Sequence, residues 1–256
     1  MPDHYTYAGS EVLVNFPGIT DYGLWKASER RVVTAHLVDL TLRPVPGSFD
    51  LPHLQAIHAR LVDGFYAWGG ILRDTNTGPG GTGIAHCRPE FITAEADRVL
   101  TALADADHLR GRGRGRFAEG LAWVWGEMTA IHPFRDVNTR SQFVFFNQLA
   151  TEAGWVIDWN RIDPYVFAHA RTVAIVHNEE GLEALLYPAL LPATENKHSK
   201  HEEQTPSVPA GIPQPKAGRS LEVLDKELQQ AIKARQSFTD DPPPFPRQTP
   251  WSLRAR

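Results

Sequence analysis

The stretch from Phe117 to Ala150 constrains this chain more than any other. Phe117, Leu121, Val124, Trp125, Met128 and Ile131 recur at helical spacing, and Phe143, Val144, Phe145, Phe146 and Leu149 follow with few polar breaks. A helix apolar on most faces is stable only at the centre of a domain, surrounded by other elements. Between the two apolar runs lies His-Pro-Phe-Arg-Asp-Val-Asn, His132 to Asn138. Proline at 133 disfavours helical backbone at the residue before it and supplies no amide, so the first helix stops there and a second begins near Asn138. A polar loop is thereby set at the N-terminus of a buried helix. Such a terminus offers unpaired N–H groups and a positive dipole end, which suit a phosphate.

The loop carries the residue types that phosphate chemistry uses. His132 is the group nearby that can act as a base near neutral pH. Asp136 offers one hard carboxylate, the way Mg²⁺ is commonly held beside nucleotide phosphates. Asn138 is a neutral donor and Arg140 a permanent cation in the first turn. Taken singly, Asp-Val-Asn is an ordinary helix cap and a histidine before proline an ordinary loop residue. Their joint occurrence between His132 and Arg140 is what points to a site.

The rest of the chain reads as mostly helix. Asp50 is expected to cap a helix over LPHLQAIHARLVDGFYAW, Thr93 one over AEADRVLTALADA, and Asp163-Pro164 one over PYVFAHARTVAIVH, with GLEALLYPAL as a final short helix. GGILRDTNTGPGGTGIAHC resists helix and reads as a short hairpin or flap. With 256 residues, 42% of them hydrophobic, the chain can bury one large core. After Ala193 the composition turns polar and proline-rich. The expected organisation is a folded domain over residues 1–192 and a disordered linker over 193–220. An isolated amphipathic helix over 221–236 and a proline-rich basic tail over 237–256 complete it.

Several function classes recede. A net charge of -4 gives no sign of a nucleic-acid or membrane-surface partner. One cysteine, Cys87, and the absence of a basic-apolar leader in MPDHYTYAGSE lead to an expectation of a soluble, cytoplasmic protein. RGRGRGR at Arg110 to Arg116 reads as a solvated loop between helices. His86-Cys87 lacks a second pair at ligand spacing, and Trp123, Trp125, Trp155 and Trp159 read as core.

HPFRDVNTR resembles the Fic motif, H-P-F-x-[D/E]-G-N-G-R-x-x-R. His132, Pro133, Phe134, Asp136, Asn138 and Arg140 match position by position. The flanks YAGSEVLVN, YAWGGILRDTN and AGWVIDWNRIDP are similar too, so the likeness covers most of residues 5–190. It implies an all-α fold, a helical bundle with a small β-hairpin flap over Arg73 to Cys87 near the active site. It implies a protein adenylyltransferase that moves AMP from ATP, with Mg²⁺, to a serine, threonine or tyrosine hydroxyl of a target protein. His132 would be the base and Asp136 the metal ligand. The backbone near Val137, the Asn138 side chain, Thr139 and Arg140 would hold the nucleotide. Phe134 would pin the loop, and Thr75, Asn76, Thr77 and Gly78 of the flap would dock the target. Bacterial members of this shape are often toxins or secreted effectors, and the basic end from Arg247 to Arg256 is a candidate secretion signal.

The departures from the motif carry their own expectations. Val137 stands where the family has glycine and is tolerable with a negative φ. Thr139 replaces the second glycine. Phe143 replaces the last arginine, which the family uses on the γ-phosphate. An arginine restored at 143 is expected to sit one turn from Arg140 on the same face and to tighten ATP more than ADP. Pro79 removes a strand donor from the flap. The inhibitory pattern [S/T]-x-x-x-E-[G/N] is not met. Glu180-Gly181 follows Val176 and Glu195-Asn196 follows Leu191, which leaves restraint to a separate small antitoxin-like partner or to low activity. The alternatives are a transferase of another nucleotide or phosphoryl group on the same scaffold, and a degenerate domain that only binds.

Overall fold

The computed structural model describes residues 3–193 and 219–237. Among them are eight α-helices: α1 Tyr22–Leu42, α2 Leu51–Val62, α3 Ile92–Asp105, α4 Arg114–Ile131, α5 Asn138–Glu152, α6 Pro164–Val176, α7 Glu180–Ala189 and α8 Leu221–Gln236. Two three-residue strands, β1 Trp155–Ile157 and β2 Leu190–Pro192, pair antiparallel with Trp155 opposite Pro192. No helix among the described residues is long and apolar enough to cross a membrane.

The apolar stretch from Phe117 to Ala150 forms the centre of the molecule. From Phe117 to Ile131 every residue of α4 except Glu119 is buried, and α2, α5, α6 and α7 lie around it and its successor. Gly126 lets α4 sit close to its neighbours, since a Cβ there would stand 2.7 Å from Cγ of Glu179.

Capping set several boundaries. Asp50 accepts from the His53 amide at 2.9 Å and starts α2, and Asp163 accepts from Tyr165 and Val166 to start α6 behind Pro164. Helix α2 is shorter than expected. It stops at Val62, because Gly64 takes a left-handed φ of 67° that ends the helix before Phe65. Thr93 does not cap α3, which begins at Ile92 out of a 3-10 turn over Pro89–Phe91. Helix α1 lies outside the sequence expectations: eleven of its 21 residues are apolar, but they are spread around the helix with no distinct stripe, and Asp21 caps it by accepting from the Leu24 amide at 2.8 Å.

Helix α8 forms where expected but is not isolated. Leu224 and Leu228 are buried against the bundle, and Gly181 of α7 makes room for Leu228, whose Cδ1 stands 2.9 Å from a notional Cβ. Arg235 reaches Glu183 at 3.0 Å, and His169 of α6 meets Asp225 at 2.6 Å. Burying two leucines contributes roughly 1.5–3 kcal/mol each, which holds a helix that would be marginal alone. Most of the expected linker and tail lies outside the described residues.

The flap corrects a second expectation. Residues 73–87 contain no strand. The segment doubles back with one rung, His86 N to Thr77 O at 3.0 Å. Gly78 is needed there because a Cβ would stand 2.2 Å from the Ile84 carbonyl oxygen. Proline, glycines and backbone bonds to other elements leave too few free donors for a ladder. Two of the four arginines in the run lie in ion pairs, Arg110 with Asp107 and Glu152 and Arg116 with Glu119, and from Arg114 the run is already the first turn of α4 and not a loop.

Candidate active site

The site is the turn between α4 and α5. His132 ends α4 with a left-handed backbone, φ 49° and ψ 64°, and Val137 stands before α5 with φ 62° and ψ 8°. The expectation of a negative φ at Val137 is overturned. A β-branched residue held left-handed costs on the order of 1–2 kcal/mol and persists only when its surroundings impose it. Val137 is buried, so packing supplies that constraint.

Asn138 supplies more of it. Its Oδ1 accepts from the Phe134 amide at 2.9 Å and its Nδ2 donates to the Phe134 carbonyl at 2.8 Å. Both ends of the amide clasp the loop. The side chain is therefore a positioning group and not the phosphate donor that the motif suggested. Phe134 is fully buried and stacks on His58 at 3.8 Å and 6°. The Gly70 amide donates to Nδ1 of His58, so its Nε2 donates to the Asp136 carbonyl at 3.2 Å. Burial pushes His58 down to about 3, which keeps it neutral in this role.

Arg73 is the other brace. Its guanidinium donates to the carbonyls of His132 at 2.7 Å, Ile131 at 3.1 Å, Thr75 and Cys87. A buried cation on the last carbonyls of α4 satisfies groups that any helix leaves unpaired. It also ties the flap to the turn between α4 and α5, as do Arg73 N to Pro133 O and Cys87 N to Ala130 O, each 2.9 Å. Of the flap residues expected to dock a target, Thr75 and Thr77 are thus partly committed, Thr77 also through Oγ1 to His86 Nδ1 at 2.9 Å.

His86 lies flat on His132, ring centroids 3.8 Å apart and planes at 8°. Burial first, then the nearby His86, Arg171 and Arg73, hold His132 well below the usual histidine range. Its Nδ1 is buried without a hydrogen-bond partner. His86 is itself pushed down to about 3 by burial and by Arg73 and Arg171. Burial pushes the Cys87 thiol up to about 11, and its backbone amide ties the flap to Ala130 of α4.

Asp136 turns Oδ1 back to the Val137 amide at 2.6 Å, which removes that amide from phosphate binding. Its Oδ2 stands 3.9 Å from Lys26 of α1, on an open cleft of about 190 Å³ that Glu11, Leu13, Tyr22, Trp25 and Arg135 also line. No side chain caps α5. Arg140 is not aimed at that terminus alone: its guanidinium meets the buried Glu29 of α1 at 2.5 Å and Asp136 at 4.0 Å. Thr139 is half-buried, and its hydroxyl oxygen accepts from Arg171 of α6 at 2.9 Å.

Phe143 does not share a face of the site with Arg140. Its ring packs 4.3 Å from Trp159, 5.4 Å edge-on to Trp125 and 5.8 Å from Phe167. The expectation that position 143 faces a terminal phosphate is overturned by this aromatic cluster. His58 and Glu29 had no signal in the sequence, and His86 and Arg73 stood out only as a lone His-Cys pair and the start of the flap, because each is brought to the site from a distant element. Arg171 had one: it is the sole charge with a permanent sign in the otherwise apolar PYVFAHARTVAIV.

Comparison with known proteins gives one family. The Fic/DOC family profile matches residues 48–150. The chain is 34% identical over 171 residues to the Sinorhizobium fredii protein y4lH, covering 66% of this chain and 86% of that one. It is 31% identical over 195 residues to the protein adenylyltransferase VbhT of Bartonella schoenbuchensis, covering 76% of this chain but only 40% of VbhT. Among solved structures, the Bartonella tribocorum effector BepC with bound AMPPNP superposes at a TM-score of 0.68 with 26% identity, covering 73% of this chain and 96% of that one. The N-terminal Fic domain of a VirB-translocated Bartonella quintana effector, with bound ADP, gives 0.69 and 27%, covering 75% and 96%.

Proposed function

The chain belongs to the Fic/DOC family, and on that premise we propose that it is a protein adenylyltransferase, moving AMP from ATP to a serine, threonine or tyrosine hydroxyl of another protein. The observation that carries the reading is a histidine kept neutral at one end of a turn whose other end is the uncapped start of α5. A base must be unprotonated to work, and burial keeps His132 so at neutral pH.

The hydroxyl oxygen of the target attacks the α-phosphorus. The bond from that phosphorus to the bridging oxygen of pyrophosphate breaks, and the hydroxyl proton passes to an imidazole nitrogen of His132. The first amides of α5, from Asn138 to Arg140, face the phosphate oxygens, with Arg140 adding positive charge. Val137 shapes the turn through its backbone. Asn138 and Phe134 keep that turn in register. Thr75, Asn76, Thr77 and Gly78 line the flap against which an extended target segment would lie.

Mg²⁺ suits the residues present. One half-buried carboxylate whose Oδ2 faces the cleft, 3.9 Å from Lys26 Nζ, is the kind of ligand this ion takes when phosphates and waters fill its other positions. Asp136 would hold it, and the ion would neutralise charge on the phosphates. The enzyme works in a cytoplasm, its own or that of a cell receiving it as an effector, and a separate small antitoxin-like partner restrains it.

The test is transfer of label from α-labelled ATP to proteins of a cell lysate, compared between wild type and His132→Ala. Labelling is expected from the wild type and at least a hundredfold less from the variant, with ATP binding retained. Equal labelling by the variant, or label arriving only from γ-labelled ATP, overturns the assignment.

A further inference from the structure

Arg171 is the least explained charge in the molecule. It sits on α6, is 7% exposed, and sends its guanidinium between the last turn of α4 and the first turns of α5. Nε lies 3.3 Å from Thr129 Oγ1, Nη1 2.9 Å from Thr139 Oγ1 and Nη2 3.1 Å from Gln142 Oε1. All three acceptors are neutral, and no carboxylate among the described residues pairs with it. A guanidinium has five N–H donors, so two remain.

A buried cation without a counter-anion is costly, and a fold that keeps one commonly does so for an anion that arrives. The location narrows the anion. Arg171 touches Thr139 in the first turn of α5, where the phosphates lie in the proposed reaction, and its charge acts on both His132 and His86. Position 143 leaves the motif without its last cation. Phe143 is sealed in the aromatic cluster with Trp125, Trp159 and Phe167, so position 143 cannot supply a cation to the nucleotide.

We propose that Arg171 is a nucleotide-binding residue, reaching from α6 to the β- and γ-phosphates and taking the place of the arginine that Phe143 displaced. The proposal rests on the adenylyltransferase reading. In it, Thr139 is the hinge of the substitution, since its hydroxyl holds the guanidinium at the helix terminus where glycine would leave it unheld. The side chain selects for a polyphosphate and leaves AMP indifferent.

The test is calorimetry with ATP, ADP and AMP, in a His132→Ala background to stop turnover, for Arg171, Arg171→Gln and Arg171→Lys. Loss of charge-assisted bonds to phosphate should weaken ATP and ADP roughly ten- to a hundredfold in Arg171→Gln and leave AMP within about twofold. Arg171→Lys should recover part of the loss. A residue that is only structural would move the melting temperature while leaving the ratio of ATP to AMP affinity unchanged, and that result overturns the proposal. Should Arg171→Gln fail to fold, the ratio in Arg171→Lys decides, together with stabilisation of the parent protein by inorganic pyrophosphate; no change in either overturns it. Failure of the parent protein to bind ATP or ADP at all sinks the adenylyltransferase reading first, and is told apart because no Arg171 variant is needed to see it.

Discussion

Restoring an arginine at position 143 separates the motif from the structure. By the motif, Phe143→Arg returns a phosphate ligand and tightens ATP over ADP. By the structure, it destroys a packed ring. Phe143 is 6% exposed, lies 4.3 Å from Trp159 and meets Trp125 edge-on at 5.4 Å. Truncating a buried phenylalanine costs about 3–5 kcal/mol, before the cost of leaving a guanidinium among aromatic rings. A loss of about 3 kcal/mol or more lowers the melting temperature of a domain this size by roughly 6–12 °C. The expected outcome is that fall, with the ratio of ATP to ADP affinity unchanged. Differential scanning fluorimetry and calorimetry read both quantities. A variant that melts within about 2 °C of wild type and prefers ATP tenfold more than before would refute the packing argument, and Arg171 would lose its reason to be recruited.

Three further outcomes are expected. At Val137, φ 62° reverses the usual order of small residues: Val137→Gly should be about 1 kcal/mol more stable than Val137→Ala in denaturant titration, and an alanine variant as stable as glycine would deny the left-handed turn. Asn138→Ala strands the buried amide and carbonyl of Phe134 and should cost at least ~2 kcal/mol, with Asn138→Asp recovering little because it cannot donate to the carbonyl; unchanged stability in both would return Asn138 to a phosphate role. His86 is neutral in the fold down to about 3 but protonates near 6.5 when unfolded, so the unfolded state binds more protons between those values and stability falls with acid. Between pH 6.5 and 5 wild type should therefore lose about 1–2 kcal/mol more than His86→Gln, and equal losses would contradict a histidine buried against His132, Arg73 and Arg171.

Much of this protein was legible along the chain. Asp50 and Asp163 announce helices because a cap acts within three residues. His132-Pro133 announces the break between α4 and α5 because proline acts on its immediate neighbour. The same locality makes the run from His132 to Arg140 readable as a phosphate loop. The burial of α4 on nearly every face also followed from its composition.

What only the tertiary structure decided is how those residues are used. Asn138 and Arg140 were read as ligands from their chemistry. Whether a polar side chain faces a ligand or a neighbour depends on what other elements bring to it. Phe134 folds back onto Asn138, α1 brings Glu29 to Arg140, and α6 brings Arg171 to Thr139. The flap shows the same limit, since its backbone donors go to Ala130 of α4 and to Pro133 instead of a ladder. So does α8, whose apolar stripe could not say that Gly181 leaves room for it. Capping, turn and periodicity are contests among neighbours in sequence, and the chain records them. Pairing a buried charge is settled between helices far apart in sequence, and it exists only once they have packed.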